Sequence, residues 1–510
     1  MSAMTLPANL DQLTADELRE LVRRQAEVIT RNDRELNWRQ VKIDKLTHEV
    51  AYYKRHYFGV KAERLPVEQG QLFEETLAAD MAAMTEELAQ LSETKPKGQA
   101  KRKPLPPELP RTEIHHEPES TTCTCGCQMK RIGEDVAEKL DYTPGTFTVE
   151  RHIRGKWACT ECETLVQAPV PAHVIDKGIP TTGLLAHVLI AKYLDHLPLY
   201  RQEGIFGRAG LPIPQSTLAE WVGQMGVALQ PLVEALKAEM LTYPVLHADE
   251  TPVAMLDPGA GKTHRAYLWS YSIGAFEPVK AVIYDFADSR AGKHAREFLG
   301  DWRGTLVCDD YSGYKALIAD GVTEAGCMAH ARRKFFDLHA NNQSQIAGLA
   351  LATIQKLYQV EREVADLSPD ERRRIRQEQA KPILDEFHDW LSRHRLQVPN
   401  GSSTAKAIDY SLKRWTALAH YLGDGQVPID NNWIENRIRP IATGRKNWLF
   451  AGSLRAGKRA AAIMSLIQSA KLNGHDPFLY LKDILSRLPT QPNSRISELL
   501  PHHWLPNTSA

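Results

Sequence analysis

The sequence predicts a multidomain α and α/β protein in which helical segments flank one mixed sheet. Three observations carry that expectation: a seven-residue apolar repeat near the N-terminus, two cysteine knuckles after it, and a cluster of short β-rich runs bracketed by long helical stretches. With 510 residues and 43% hydrophobic content, the chain exceeds what one core usually serves and carries enough apolar surface for several. No apolar run is long enough to cross a bilayer, and the first residues lack the basic and apolar regions of a signal peptide, so a cytoplasmic protein with no membrane role is expected. Formal charge balances at 63 basic against 63 acidic residues, but locally it does not. Between Arg437 and Arg459 there are seven Arg or Lys and no acid, so an anionic partner must be met there.

Residues 1–92 read as a coiled-coil (leucine zipper) oligomerisation segment. "TADE" is a capping box at Thr14 and Glu17, and Leu18, Val22, Gln25, Ile29, Asn32, Leu36, Arg39, Ile43, Leu46, Val50, Tyr53 and Tyr57 then alternate at steps of four and three. Polar Gln25, Asn32 and Arg39 on that seam weaken it while fixing register. Residues 93–112 are a Pro- and Lys-rich linker without periodicity. Residues 113–175 hold five of the seven cysteines, Cys123, Cys125 and Cys127 in "CTCGC" and Cys159 and Cys162 in "CTEC". Disulfides do not persist in a cytoplasmic chain, and two thiolates from each knuckle complete a tetrahedral site for one structural Zn²⁺. Which two of the first three bind is open, with His115, His116 and His152 as substitutes.

In residues 176–242 the apolar spacing is helical, and "RAGLPIPQS" breaks it so that Leu199 to Gly223 reads as helix, turn, helix, with Gly210 ending one helix and Ser216 capping the next. A DNA-reading role and an ordinary helical hairpin are both compatible with it. Residues 243–334 change period: "YPVLHADETPVAML", "HRAYLWSYSIG" and "PVKAVIYDFAD" are strands, "SRAGKHAREFLG" a helix, "GTLVCDD" a fourth strand and the run near "GVTEAGC" a fifth. Three antiparallel strands, a helix and a further strand is the order of a ribonuclease-H-like sheet. Residues 335–424 are a helical insertion, 425–475 the last part of the core with the basic run, and 476–510 a helical tail.

In such a sheet Asp249, on the first strand, and Asp309, ending the fourth, are neighbours. Glu435, set in a basic surround at the head of a later helix, can join them around two Mg²⁺ (or Mn²⁺) about 3.5–4 Å apart that act on a phosphodiester. Glu250 and Asp310 sit beside the first two acids. The surrounding Arg437, Arg439, Arg445 and Lys446 would hold phosphates, His330, Arg332 and Arg333 in "HARRKFF" would line the same cleft, and Trp433 and Trp448 could stack on an unpaired base or belong to the core.

"HADETPV", "CDDYSGY", "CMAHARRKFFD" and "DNNWIENRIRPIATGRKNWLFAGS" resemble, in order, the blocks of the transposases of the insertion sequence 66 family, over nearly the whole chain. The resemblance implies a DDE transposase whose acids are Asp249, Asp309 and Glu435. The family usually shows Asp-Gly-Tyr where this chain has Asp309-Asp310-Tyr311, which leaves Asp310 as a spare acid. It implies a nucleoid-associated enzyme that binds double-stranded DNA at the element's terminal repeats, frees a 3′-hydroxyl and joins it to target DNA. A homo-oligomer, at least a dimer, and accessory proteins of the same element would be its partners. A metal-dependent nuclease that does not join, and an inactive DNA-binding regulator, are the other classes the same residues allow.

Overall fold

The computed structural model describes residues 14–59, 67–91, 105–118, 120–122, 126–143, 145–170, 172–175, 178–257, 262–342 and 344–506. Two compact units result, Met1–Glu63 with Met81–Arg102, and Arg64–Asp80 with Lys103–Ala510.

The first unit contains helix α1 (Ala15–Gly59), which begins one residue after Thr14, and the later part of helix α2 (Val67–Leu91). Seam residues Val22, Ile29 and Leu36 are 65%, 58% and 61% exposed, so in one chain the apolar stripe has no cover, whereas Leu46 is buried.

In the second unit the cysteine-bearing segment is a sheet. Strand β1 (Arg111–His116) pairs parallel with β3 (Thr146–Ala158), which pairs antiparallel with both β2 (Lys130–Thr143) and β4 (Leu165–Gln167). Helices α3 (Thr182–Tyr193), α4 (Leu199–Arg208), α5 (Gln215–Ala228) and α6 (Gln230–Met240) follow. The turn between α4 and α5 carries Gly210 at φ +93°, a left-handed position that glycine fills without a Cβ clash. Ser216 does not cap α5. That helix starts one turn-residue earlier, behind Pro214, with no side-chain cap bond. Leu218, Trp221, Val222 and Met225 bury one side of α5 in the main core, and its exposed positions include Glu220 but no basic residue.

Strands β5 (Val245–Leu256), β6 (Thr263–Ile273) and β7 (Val282–Ala287), helix α7 (Lys293–Leu299), strand β8 (Thr305–Val307), the short helix α8 (Lys315–Ala319) and strand β9 (Thr323–Ala325) make a five-stranded sheet in the order β7-β6-β5-β8-β9. The first three are antiparallel, and β8 and β9 run parallel to β5. The helical layer that follows comprises α9 (Met328–Asn342), α10 (Gln345–Glu363), α11 (Pro369–Ile375), α12 (Lys381–Arg395), α13 (Ser403–Lys413) and α14 (Trp415–Ala419). It forms its own core around Phe335, Ile354, Leu357, Phe387 and Ile408, seated on Val245, Val307 and Ala325 of the sheet. The chain then returns as α15 (Asn432–Trp448), α16 (Leu454–Leu472) and α17 (Pro477–Arg487).

Strand β7 is a sheet edge, and α16 satisfies it. Ser469 Oγ and Ser465 Oγ accept from the N–H groups of Val282 and Tyr284 at 3.0 and 2.9 Å, which removes the free donors that make an edge sticky. The close approach needs Gly457, where an added Cβ would lie 2.2 Å from the Phe286 ring.

The helical layer is tied together by Arg376, fully buried at a π turn between α11 and α12. Its guanidinium donates to both oxygens of Glu361 at 2.8 and 2.6 Å and to the carbonyls of Tyr421, Asp424 and Val427 at 2.9, 3.0 and 2.9 Å. Arg376→Met is expected to lower stability by about 3–5 kcal/mol in urea denaturation, because a buried carboxylate and three carbonyls lose their donor. A loss below ~1 kcal/mol would mean that the network is replaceable.

Candidate active site

Antiparallel pairing sets Asp249 opposite Ser270, and parallel pairing sets His247 opposite Val307. Continuing that register by two residues puts Asp249 beside Asp309, just past the end of β8. Glu435 lies in the first turn of α15, which packs across β5 and β6. Asp249 feels the other two carboxylates. Burial, the adjacent Glu250 and the charges of Asp309 and Glu435 push the Asp249 carboxyl up to about 8, against the pull of the Glu250 N–H that it accepts at 2.8 Å.

The neighbouring acids are occupied differently. Glu250 takes Arg290 Nε at 2.7 Å and the Tyr314 hydroxyl at 2.9 Å, and Asp310 takes Arg414, which also holds Glu324 at 2.7 Å. Among the described residues no Lys or Arg comes within ion-pair distance of Asp249, Asp309 or Glu435. Asp309 accepts the N–H of Tyr311 at 3.0 Å, and Glu435 has His330 Nδ1 at 3.7 Å. Cys327, His330 and Glu435 bring their ligand atoms within 4.8 Å of one another. Burial, however, pushes the Cys327 thiol up to about 12, and its sulfur accepts the Asn431 N–H at 3.2 Å, so it stays a thiol and a hydrogen-bond acceptor.

What aims Glu435 is Asn431, the buried residue just before α15. Its side-chain N–H₂ donates to the Ala248 carbonyl at 2.9 Å, and its Oδ1 accepts from His247 Nδ1 at 2.7 Å. Burial depresses the His247 imidazole to about 4, so the ring stays neutral and keeps the tautomer that this bond needs. At the far end of α15, Ala451 N donates to Ala254 O at 2.8 Å and Leu256 N to Ala451 O at 2.9 Å. Arg445 donates to the Pro252 carbonyl between these two ends. The helix is therefore fastened along the strand that carries Asp249.

Among the residues expected to meet nucleic acid, Arg332, Arg333, Arg439 and Lys446 are exposed, and His330 and Arg445 are half-buried. Trp433 and Arg437 are half-buried and engaged within the chain. Arg437 lies 3.7 Å from the centroid of the Trp433 ring and Lys280 5.0 Å, while the indole N–H donates to Ser272 Oγ at 2.9 Å, anchoring α15 to the end of β6. Trp448 lines a pocket with Ile441, Phe286 and Met464. Arg459, at the end of the basic run, is buried and paired with Asp80 at 2.9 Å. In the cysteine-bearing sheet Cys127 packs beside Cys159 with Met129, Trp157 and Val166. Cys123 and Cys125 lie outside the described residues. His116 and His152 are paired with each other at 3.0 Å.

A family model described as Transposase IS66 family matches residues 177–459, which include all three acids. The chain belongs to that family. Further models match at 465–502 (IS66 C-terminal element), 120–163 (zinc-finger binding domain of transposase IS66) and 45–114 (Transposase C of IS166 homeodomain). Two relatives from Sinorhizobium fredii (strain NBRC 101917 / NGR234) are similar over almost their whole length. The uncharacterized protein y4hP is 34% identical over 91% of this chain and 88% of its own, and the uncharacterized protein y4qI is 36% identical over 91% and 90%.

For this IS66-family chain the raised Asp249 carboxyl has a stability consequence. A group protonated up to about pH 8 when folded, but ionised above about 4 when unfolded, binds more protons in the folded state. Its contribution is fully present below about pH 4 and is lost as pH rises through about 8. In buffer free of divalent ions, Asp249→Asn is expected to be a few kcal/mol (order of magnitude) more stable than the parent at pH 8 and nearly equal to it at pH 4. Urea denaturation at both values checks this, and parallel pH profiles for the two proteins would contradict it. Asn431→Ala is expected to cost about 1–3 kcal/mol, since it leaves His247 and the Ala248 carbonyl unpaired in the interior.

Proposed function

We propose that this chain is a DNA-cutting and DNA-joining transposase with a ribonuclease-H-like core. The observation that carries the reading is that Asp309 and Glu435 lie within electrostatic reach of Asp249 while, among the described residues, none of the three carboxylates has a Lys or Arg partner and their neighbours Glu250 and Asp310 each have an arginine. The strand order β7-β6-β5-β8-β9, with the acids on β5, after β8 and on a later helix, supports the core assignment. Family membership supports the role in transposition.

The fit to a divalent cation follows from the donor set: a carboxyl raised to about 8 by burial first, and then by the charges of Glu250, Asp309 and Glu435, is relieved by positive charge placed among these oxygens. Two Mg²⁺ or Mn²⁺ ions held there supply Lewis-acid activation of the attacking oxygen and stabilisation of the leaving one. The chain's own residues do the rest. Asp249, Asp309 and Glu435 set where charge is tolerated, Asn431 and His247 hold Glu435 over the strand, and His330 faces Glu435 from α9. Exposed Arg439 and Lys446 on α15, with half-buried Arg445 and with Arg332 and Arg333 on α9, hold phosphates of element ends and target. One structural Zn²⁺ is bound by Cys159, Cys162 and two of Cys123, Cys125 and Cys127. The exposed seam of α1 is the surface for a second copy, its heptad spacing supporting a coiled coil. The setting of this activity is the cytoplasmic nucleoid.

The test uses element ends, Mg²⁺ and a target plasmid. Asp249→Asn, Asp309→Asn and Glu435→Gln should each abolish cleavage and strand transfer while changing end binding by less than about threefold, because each removes a metal ligand and no phosphate contact. Asp310→Asn should retain substantial activity. Cleavage without joining by the parent would make it a nuclease, and wild-type activity in any of the three would remove that residue from the site. Ile29→Asp with Leu36→Asp, both on the exposed seam, should leave the fold intact and abolish self-association in light scattering; an unchanged mass would remove the coiled coil as the assembly surface.

A further inference from the structure

Away from the carboxylate site, the C-terminal tail folds back onto α6. A 3₁₀ segment, Asn493–Leu499, leads into a turn at 501–503, and Leu499, Leu500 and Trp504 are buried in the main core. This delivers His502 and His503 to Glu239, in the last turn of α6. Glu239 Oε1 lies 2.7 Å from His502 Nε2 and 3.7 Å from His503 Nε2, and one ligand atom from each of the three residues falls within 4.8 Å of the others. Ligands held about 2.0–2.1 Å from a tetrahedral zinc stand roughly 3.4 Å apart, so these distances bracket what an ion would require.

The proton positions point the same way. His503 Nδ1 is 3.1 Å from the Ser497 carbonyl, which can only accept, so the ring hydrogen is at Nδ1. In the neutral ring Nε2 then turns a lone pair toward a carboxylate, an arrangement that a cation between them satisfies. A backbone carbonyl fixing the far nitrogen is also how metal-bound histidines are usually oriented. The His502 side chain is only 2% exposed, and an ion replacing the proton at Nε2 leaves the ring hydrogen at Nδ1, which meets no acceptor among the described residues, so binding has to offset that unpaired N–H. Glu239 sits near the negative end of the α6 dipole, where a carboxylate is disfavoured and a cation is favoured. His503 is about half exposed, which leaves an entry path and a fourth position for water.

We propose that Glu239, His502 and His503 form a second metal site, taking a borderline divalent ion of which Zn²⁺ is the natural occupant, and that the ion latches the C-terminal tail to α6. Two imidazoles, one carboxylate and an open position suit Zn²⁺ better than Mg²⁺ or Ca²⁺, which prefer oxygen alone. The site shares no residue with the cysteine module or with the Asp249 cluster, so it stands or falls apart from the activity proposed above.

The experiment uses the full chain, stripped with chelator, re-equilibrated with Zn²⁺ and analysed for metal per chain. His503→Ala and Glu239→Gln should each bind one ion fewer than the parent. With Co²⁺ as the probe, thiolate-to-metal charge-transfer absorption from the cysteines should be unchanged in both. Zn²⁺ should raise the thermal midpoint of the parent more than that of either variant. His503 is at the surface, so its replacement tests binding without threatening the fold. Metal content equal to the parent's in both variants would overturn the site, and loss of an ion with no difference in the thermal shift would overturn the latch.

Discussion

A single buried amide sets the relation on which the rest of the site depends. Asn431 joins three elements at once: its side chain bonds to β5 through the Ala248 carbonyl and the His247 ring, and its backbone N–H bonds to Cys327, at the start of α9. Glu435 is one helical turn further on, so the direction of the first turn of α15 is fixed against the strand that bears Asp249. The Arg445 contact to Pro252 and the two bonds at Ala451 extend that fastening along the helix. A carboxylate aimed by a helix held at both ends needs no loop to bring it into place.

Charge pairing sorts five neighbouring acids into two groups. Arg290 and Arg414 neutralise Glu250 and Asp310, and Tyr314 adds a hydroxyl to Glu250. The carboxylates of Asp249, Asp309 and Glu435 receive backbone N–H groups or a histidine and, among the described residues, no guanidinium. Burial, and after it the charges of Glu250, Asp309 and Glu435, hold the Asp249 carboxyl up, so the cost of this arrangement falls on Asp249. A structural acid cluster would be expected to recruit an arginine, as its two neighbours do. Leaving three acids bare in a partly buried position is sensible where the compensating charge arrives with a metal.

Much of this was legible in the sequence because it rests on local patterns. Period-two alternation from Tyr243 to Asp288 located β5 to β7, and the acids ending "HADE" and "VCDD" identified the neighbouring strands that bring Asp249 to Asp309. Glu435, expected at the head of a later helix, lies in the first turn of α15. Long-range partners were not legible. Nothing near Arg414 in the chain marks it as the partner of Asp310, and nothing near Arg376 marks its bonds to carbonyls at 421–427. The basic run from Arg437 to Arg459 read as one phosphate-binding face, yet helical geometry turns Arg437 onto Trp433 and Arg459 onto Asp80, leaving Arg439 and Lys446 outward. The long β2–β3 hairpin is not legible in the sequence, because its alternation, with Phe147 and Val149 inward and Thr146 outward, lies in a charged stretch between the cysteine knuckles.

The central claim is that three unpaired carboxylates form one cation site. Its most direct test is crystallographic: grow the protein with Mn²⁺ and locate the ion by anomalous scattering. The account predicts density bounded by Asp249, Asp309 and Glu435, absent from Glu435→Gln crystals or displaced in them. Mn²⁺ absent from that position in the parent at millimolar concentration, or bound instead through Glu250 or Asp310, would contradict it.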